Sequence, residues 1–520
     1  MKDQRVLWVD DEIDMLQAHI AFLESKGISV TPCSSGDDAV ERVSKEDFDL
    51  VLLDEMMPGK DGLATLVEIK DLRPHLPVVM VTKSEEETLM EDAIGQKIDD
   101  YLTKPVNPSQ VLMAIKKLVQ RKSIVAGKLG QRYIADINRI NTLLTEDGNW
   151  KNWAQAYRVL CEWDMELDRY SDEGLTEIHK GTRKEWNGRF TRYYEQNYEK
   201  WLAGGPNHRP PLSVDIVDRT VAPRLKAGEQ VVFIVIDCMR MDLWLKIEPL
   251  MADLFHVEHE YFFSILPSAT PFARNAIFSG LFPVEIARLY PDDWKAYPDD
   301  EVSRNRREGE LLERQLAVKG AQPRNGIKYI KVLNEQEAGD LVARTENFLG
   351  SQIVALVINF VDVLTHGRSN NVLLKEMVPD EAAFRALTQT WFEHSSLYET
   401  LKMLARKKVT VIITTDHGST LCSRGTIAHG KRDTSSNLRY KYGDNLNCNP
   451  KEALLIKNPE RFRLPVFSLA TTYIIAREDF YFVYPNRYNE YLKQFQNSFQ
   501  HGGISMDEII LPIAIMKPKG

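Results

Sequence analysis

The sequence predicts an α/β protein in three parts: α/β domains over 1–121 and 206–520, joined by a helical bundle connector over 122–205. Three observations predict it. A chain of 520 residues with 43% hydrophobic content is too long for one core, since cores stop growing at roughly 250 to 300 residues. Runs that are apolar throughout, such as Val51-Leu52-Leu53 and Val78-Val79-Met80-Val81, alternate with amphipathic stretches, as parallel strands covered by helices on both faces require. Between the two α/β regions the strand signal disappears. Gly204-Gly205-Pro206 and Pro210-Pro211 then mark a boundary, because these residues stop helices and favour turns.

In the first region, Val6 to Val9, Ser29 to Cys33, Leu50 to Leu53, Pro77 to Val81 and Asp100 to Thr103 read as five strands with helical patterns between them. The connector carries Trp150, Trp153, Tyr157, Trp163, Trp186, Phe190, Tyr193, Tyr194, Tyr198 and Trp201. Spacings such as Trp150, Trp153, Tyr157 fit one helix face, so these rings are expected to pack a core rather than to stack on bases. In the last region Val231 to Ile236, Val354 to Val361 and Val409 to Thr415 read as buried strands. A polar segment from about Tyr290 to Asn347 is expected to contain an insertion.

A formal charge of −9 argues against a general electrostatic grip on nucleic acid, which needs a basic field. Any polyanion must be caught locally. No apolar run approaches the roughly 18 to 20 residues of a membrane span, so no membrane insertion is expected. Cys33, Cys161, Cys238, Cys422 and Cys448 form no paired motif. They suit reduced thiols filling cores in a cytoplasmic protein.

Function-bearing residues fall at strand ends. Strand one runs into Asp10-Asp11, strand three into Asp54, strand four into Thr82, and strand five into Lys104-Pro105. Ligand sites of open parallel sheets lie at carboxyl ends, so these residues should converge on one crevice. Carboxylates there suit Mg²⁺. Asp54 can then act as a phosphoryl-accepting nucleophile while Lys104 and the Thr82 hydroxyl bind phosphoryl oxygens. With these five residues in order, the segment resembles the receiver family of response regulators over its full length. The resemblance implies a five-stranded parallel, flavodoxin-like sheet, phosphorylation of Asp54 by a sensor histidine kinase, and dimerisation on phosphorylation. It also implies that the Met56 carbonyl completes the Mg²⁺ site with Asp10, Asp11 and Asp54, that Lys104-Pro105 is cis, and that Tyr101 is the aromatic switch residue.

The last region repeats the pattern with other ligands. Asp237 follows the first strand, Asp362 and His366 the second, and Asp416-His417 the third, with His501 ahead of Gly502-Gly503. Carboxylates and imidazoles suit zinc, and their number exceeds what one tetrahedral ion needs, so two ions are the economical reading. In Pro267-Ser268-Ala269-Thr270-Pro271, Thr270 is expected as a helix N-cap and Pro271 as the first helical residue. Backbone N–H groups there would face an anion, and a neighbouring metal would activate the Thr270 hydroxyl as a nucleophile. Arg274, Asn275, His429, Lys431 and Arg432 are candidate substrate contacts, although His429-Gly430-Lys431-Arg432 fits a solvated basic turn equally well. Phe272 could stack a base or simply start a helix core.

The ordered set Asp237, Thr270, Asp362, His366, Asp416-His417, His501 resembles the alkaline phosphatase superfamily, more narrowly the PglZ domain, over roughly 218–520. That resemblance implies an alkaline-phosphatase-like α/β domain in which Asp237, Asp416 and His417 hold one zinc with Thr270, and Asp362, His366 and His501 the other. Threonine as nucleophile resembles the nucleotide pyrophosphatase and phosphodiesterase branch, which implies diesters such as nucleotides or oligonucleotides. A phosphomonoester or sulfate is an alternative substrate. The whole chain resembles the PorX regulators linked to type IX secretion. A reading of another class is a binding regulator that engages a transcription or secretion factor without turnover.

Overall fold

The computed structural model describes residues 4–74, 76–82, 98–146, 148–170, 172–294, 304–333, 337, 339, 341–370, 372–430, 437–484, 492 and 494–519. The chain divides into two compact units, Met1–Ile137 and Asn138–Gly520.

The first unit is built on β1 (Gln4–Val9), β2 (Ile28–Cys33), β3 (Leu50–Asp54), β4 (Val78–Thr82) and β5 (Asp100–Thr103) in the order β2-β1-β3-β4-β5. Every pairing is parallel, the flavodoxin-like arrangement. Alternate residues feed opposite faces. Leu7 and Val9 join one buried cluster while Val6 and Trp8 join the other, because side chains of a strand alternate. The helices Gly36–Lys45 and Gly62–Leu72 are capped by Ser35 and Asp61, whose side chains accept from Asp38 N–H and Ala64 N–H. Lys104-Pro105 is cis.

The second unit centres on six strands: β6 (Val231–Ile236), β7 (Phe255–Phe263), β8 (Ile327–Val332), β9 (Ile353–Ile358), β10 (Thr410–Thr414) and a final strand, Ile510–Pro518. Short strands between the last two are β11 (Thr420–Cys422), β12 (Arg424–Ile427), β13 (Tyr440–Asp444), β14 (Ala453–Ile456), β15 (Thr471–Ala476), β16 (Phe480–Val483) and β17 (Ser498–Gln500), which makes the final strand β18. The large sheet runs β7-β18-β10-β6-β9-β8. Its β10, β6, β9 and β8 are parallel, while β18 is antiparallel to both β10 and β7. Chain order reverses about β6, so the crevice beyond the carboxyl ends of β6, β9 and β10 is the expected ligand position.

The structure corrects three details. The second expected strand stops at Ile358, and Phe360 and Val361 already belong to the helix Phe360–Asn370. Asp362 then lies in the first turn, where a carboxylate complements the helix dipole. The segment expected to hold an insertion supplies β8, an edge strand of the main sheet, whose lysines at 328 and 331 masked the buried Ile330 and Val332. The helix Thr270–Ser279 begins one residue early, with Ala269 at the N-cap, Thr270 first and Pro271 second.

The connector region forms the helices Pro108–Glu146, Trp150–Arg169 and Glu173–Ala203. Its aromatic residues pack a core, as their spacing predicts. Trp153, Tyr157, Trp163, Trp186, Phe190, Tyr194, Tyr198 and Trp201 are buried. The rings of Trp150, Phe190, Tyr194 and Trp201 all pack on Phe263 of β7, with centroids 5.6 to 6.3 Å away. All five cysteines are buried and unpaired. Among the described residues no helix is long and apolar enough to cross a membrane.

Removing the Phe263 ring empties the point where these four rings meet. Phe263→Ala is expected to destabilise the second unit by about 3 to 5 kcal/mol, read as a fall in urea midpoint for the near-ultraviolet signal of the connector tryptophans.

Candidate metal centres

In the first unit, burial and charge assemble the site expected from the strand ends. Asp10, Asp11 and Asp54 bring one carboxylate oxygen each within 4.8 Å of one another. Asp10 and Asp54 are buried and Asp11 is exposed. Lys104 Nζ donates to Asp54 Oδ2 at 2.8 Å and Asp10 Oδ2 at 3.0 Å. Burial pushes the Asp54 carboxyl above its ordinary range, although Lys104 opposes the shift. The Lys104 ammonium is pulled down by burial, yet its hydrogen bonds to Asp54 and Asp10 outweigh that and raise it. Three carboxylates converge where Lys104 pairs with only two of them, so an oxygen-seeking dication fits the donor set. Thr82 ends β4, Tyr101 stands exposed on β5, and Met56 is exposed in the turn after β3.

The second unit gathers its ligands into two trios. Asp237, Asp416 and His417 form the first and Asp362, His366 and His501 the second, each with ligand atoms within 4.8 Å. They arrive from different elements. Asp237 follows β6, Asp416 and His417 follow β10, Asp362 and His366 occupy successive turns of one helix, and His501 follows β17. The His417 and His501 rings stack with centroids 4.2 Å apart, so the trios are neighbours.

Thr270 stands at the first trio. Its Oγ1 lies 2.9 Å from His417 Nε2 and 3.4 Å from Asp237 Oδ1. His417 Nδ1 lies 3.0 Å from the Gly418 carbonyl, an acceptor only, so Nδ1 carries the proton and Nε2 presents its lone pair to Thr270. The hydroxyl therefore does not cap its helix. Pro271 has no N–H, and the N–H groups of Phe272 and Ala273 both donate to the Ala269 carbonyl. Those amides do not form the backbone phosphate cradle expected from the sequence.

The donor set fits metal ions on its own chemistry. Burial, with Asp416 beside it, pushes Asp237 well above the carboxylate range despite Arg274. Asp362 Oδ1 and Asp416 Oδ2 are buried without a hydrogen bond. His366 Nε2 faces His501 Nε2 at 3.0 Å, and each lies close to Asp362 Oδ1, at 3.3 and 3.6 Å. Burial, reinforced by His417 and His366, pushes the His501 imidazole well below its usual range, so it is neutral and available as a ligand. Carboxylate and imidazole donors converging on common points are what zinc ligands offer.

Other expected residues sit differently. Arg274 is 2% exposed, and its guanidinium is spent on Asp237 and on Glu308, with Asp416 Oδ2 at 3.9 Å. It holds a ligand carboxylate in place and does not face solvent as a substrate contact would. Asn275 is fully buried and donates to the Pro271 and Arg304 carbonyls at 3.0 Å. It braces the helix that carries Thr270. His429 is exposed and pairs through its backbone with Asn447. Lys431 and Arg432 lie outside the described residues. Sequence reasoning missed Glu308, which closes the Arg274 pair from inside the segment read as an insertion. It also missed Ser264, whose hydroxyl donates to the Asp416 carbonyl at 2.9 Å, and Glu508, which accepts from the Gly503 N–H at 2.8 Å. The acidic pair Asp507-Glu508 so soon after His501 was the available signal for the last.

Comparisons with known proteins identify three domains. Residues 216–516 match the BREX system PglZ alkaline phosphatase-like domain, 6–116 the response regulator receiver domain, and 123–202 the PorX response regulator linker domain. Together they define a response regulator with a phosphatase-like second domain. The PglZ match covers more than half of the chain, which belongs to the PglZ alkaline phosphatase-like family and has the organisation of a PorX-like response regulator. A receiver domain implies a sensor kinase as partner. Similar curated proteins include the transcriptional regulatory protein ResD of Bacillus subtilis, 31% identical over 121 residues, 23% of this chain and 50% of that protein. Another is the alkaline phosphatase synthesis transcriptional regulatory protein PhoP of the same organism, 31% identical over 126 residues, 24% of this chain and 52% of that protein. The chain thus spans about half the length of these relatives. A CheY-like receiver domain protein from Methanospirillum hungatei is 30% identical, covers 23% of this chain and 94% of its own, and has a TM-score of 0.21.

The buried Glu308 carboxyl is raised by burial, but Arg274 and Lys331 outweigh that and hold it below its ordinary range. Its folded-state pKa is then lower than the unfolded value of about 4.3. Its stabilising contribution is complete above the unfolded value and is lost as pH falls through the folded one. Glu308→Gln is expected to flatten the acid side of the stability-pH curve below about pH 4.3. At pH 7 it is expected to cost about 3 kcal/mol, because Arg274 keeps its buried charge with one partner fewer. Urea unfolding from pH 3 to 8 measures both.

Proposed function

We propose that this chain is a two-component response regulator, phosphorylated on Asp54, whose output is a zinc-dependent phosphodiesterase acting on nucleotides or oligonucleotides. The observation that carries the reading is Thr270 Oγ1 at 2.9 Å from His417 Nε2, beside two adjoining trios of metal-ligand type. In this reading 1–121 is the receiver, 122–205 the connector and 206–520 the catalytic domain. Asp10, Asp11, Asp54 and the Met56 carbonyl hold Mg²⁺, Thr82 and Lys104 meet the phosphoryl oxygens, and Tyr101 reports the phosphorylated state. Asp237, Asp416, His417 and Thr270 hold one zinc, and Asp362, His366 and His501 the other.

Bound there, the pair of ions supplies Lewis-acid stabilisation of the attacking and leaving oxygens of an in-line displacement. The chain's own residues do the rest. His417 Nε2 and Asp237 Oδ1, which face the Thr270 hydroxyl, would be engaged as ion ligands, so the hydroxyl proton would pass to solvent as Oγ1 attacks phosphorus. The P–O bond to one alcohol breaks and that alcohol leaves with a proton from solvent, a threonyl phosphodiester that keeps the other ester group forms, and water then releases the phosphate monoester and restores the hydroxyl. Arg274 and Asn275 support this centre from behind, which leaves His429, Lys431 and Arg432 as the proposed contacts to the rest of the substrate.

The receiver takes its phosphoryl group from a sensor histidine kinase, dimerises when phosphorylated, and sets the output in a cytoplasmic pathway that controls type IX secretion, directly or through a transcription or secretion factor. Zinc content and hydrolysis of bis-p-nitrophenyl phosphate and short oligonucleotides, with and without acetyl phosphate, test the proposal. About two zinc ions per chain are expected, with a loss of at least about a thousandfold in kcat for Thr270→Val. Asp54→Asn is expected to abolish the acetyl phosphate effect. Zinc bound by a wild-type protein with no Thr270-dependent turnover would overturn the enzymatic reading in favour of a binding regulator.

A further inference from the structure

One stripe of the helix Glu173–Ala203 reaches the backs of both loops that carry the second unit's site. Arg183, Asn187, Thr191, Tyr194 and Tyr198 recur at three and four residues, so they share one helix face. Each makes a polar bond to the chain that leads into or out of the metal centre. Arg183 Nη2 is paired with Asp507 Oδ1. Asn187 Oδ1 accepts from the Met506 N–H at 2.9 Å, and the Thr191 hydroxyl, whose hydrogen is shared with the Asn187 carbonyl of its own helix at 2.9 Å, reaches the Ile504 carbonyl at 3.2 Å. The Tyr194 hydroxyl donates to the Ser264 carbonyl at 2.7 Å, and the Tyr198 hydroxyl accepts from the Leu266 N–H at 2.9 Å.

The two gripped segments, 264–266 and 504–507, are bound in turn to the site. Ser264 Oγ donates to the Asp416 carbonyl at 2.9 Å, and Ser268 Oγ donates to the Gly503 carbonyl at 2.7 Å. Gly418 N–H donates to the Glu508 carbonyl at 3.3 Å. A Cβ at Gly418 would lie 1.9 Å from the Asp507 carbonyl oxygen, so the strand of ligands at 416–418 has no slack against this loop. Ser264 thus joins a helix contact directly to Asp416, while the contacts at Leu266 and Ile504 lie in the segments that carry Thr270 and His501.

Simple docking of the helix needs no such bonds, because its aromatic face already packs on Phe263. Four of the five partners are backbone atoms and the fifth is the Asp507 carboxylate, and Thr191, Tyr194 and Tyr198 are buried where each polar group must be matched. We infer that Arg183, Asn187, Thr191, Tyr194 and Tyr198 are positioning residues that register the nucleophile loop and the ligand loop against each other, making this helix the element through which the connector acts on the metal centre. The inference rests on the proposed metal-dependent reading of the same site.

Thr191→Val, Tyr194→Phe and Tyr198→Phe each remove a hydroxyl at nearly constant volume, Thr191→Ser keeps one, and Gln196→Ala on the exposed face serves as control. In the metal-free full-length protein, amide hydrogen exchange over 262–270 and 501–509 is expected to be about tenfold faster in the three hydroxyl-deleting variants, and unchanged in Thr191→Ser and Gln196→Ala. Zinc retention against a chelator is expected to weaken about tenfold in the same three, and kcat on bis-p-nitrophenyl phosphate to fall without a change in KM. Wild-type exchange and wild-type zinc retention in all three single variants would overturn the inference. The exchange measurement involves no turnover, so a protein that proves catalytically silent refutes the phosphodiesterase reading while this test still decides the positioning role.

Discussion

Burying Asp237 and Asp416 side by side at the ends of β6 and β10 is the constraint on which the rest of the second unit depends. Two carboxylates in a desolvated crevice repel each other and lose their water, and neither cost is tolerable without cations close by. Arg274 supplies one within the protein, and Glu308 in turn fixes Arg274. This chain of compensation runs from the strand ends through the helix that carries Thr270 to the helix Glu308–Val318. The second trio solves the same problem differently. Its two imidazoles are oriented on Asp362, whose carboxyl is held well below the ordinary range by His366 and His501 although burial opposes this. One trio thus carries an internal arginine and the other does not. Ions entering the pair must share the first trio's charge with Arg274, whereas the second trio offers all of its charge to an ion.

The first unit meets the same electrostatic problem with fewer groups. Lys104 bridges Asp10 and Asp54, so both buried carboxylates are held in position by one cation. The glycine at position 62 shows how tightly that loop is drawn: a Cβ there would meet the Asp54 carbonyl oxygen at 2.2 Å.

The sequence disclosed what depends on strand ends and little of what depends on distant packing. The strands of the first unit, the central β6, β9 and β10, and the candidate ligands after them were legible, because apolar runs locate strands and the residues just after them fall in one crevice, while the division into two trios came from the resemblance to the alkaline phosphatase superfamily. The aromatic connector core was legible from helical spacing. Glu308 and β8 were not, since a buried glutamate and an edge strand carrying Lys328 and Lys331 look like surface. Arg274 and Asn275 were read as substrate contacts because nothing local distinguishes an arginine that meets an anionic ligand from one that neutralises a buried carboxylate. Only burial separates the two, and burial is a property of the whole sheet. The Thr270 hydroxyl was assigned to its own helix for a similar reason. Capping is the local preference, and it loses here to His417 and Asp237, which are far away in sequence.

The magnitudes bear on how regulation can work in such a protein. Coupling between sites typically amounts to about 1 to 3 kcal/mol, and a misplacement of about 1 Å in a catalytic group costs on the order of a hundredfold in rate, roughly 2.7 kcal/mol. These are the same size. A receiver that shifted a connector helix by a fraction of a turn would therefore use its whole coupling energy in moving loops by an ångström, and no refolding of the phosphatase-like domain would be required. The buried polar stripe suits that task better than apolar packing would. Apolar surfaces slide with little penalty, whereas hydrogen bonds to fixed backbone atoms transmit displacement, because leaving such a buried group unmatched costs about 1 to 3 kcal/mol.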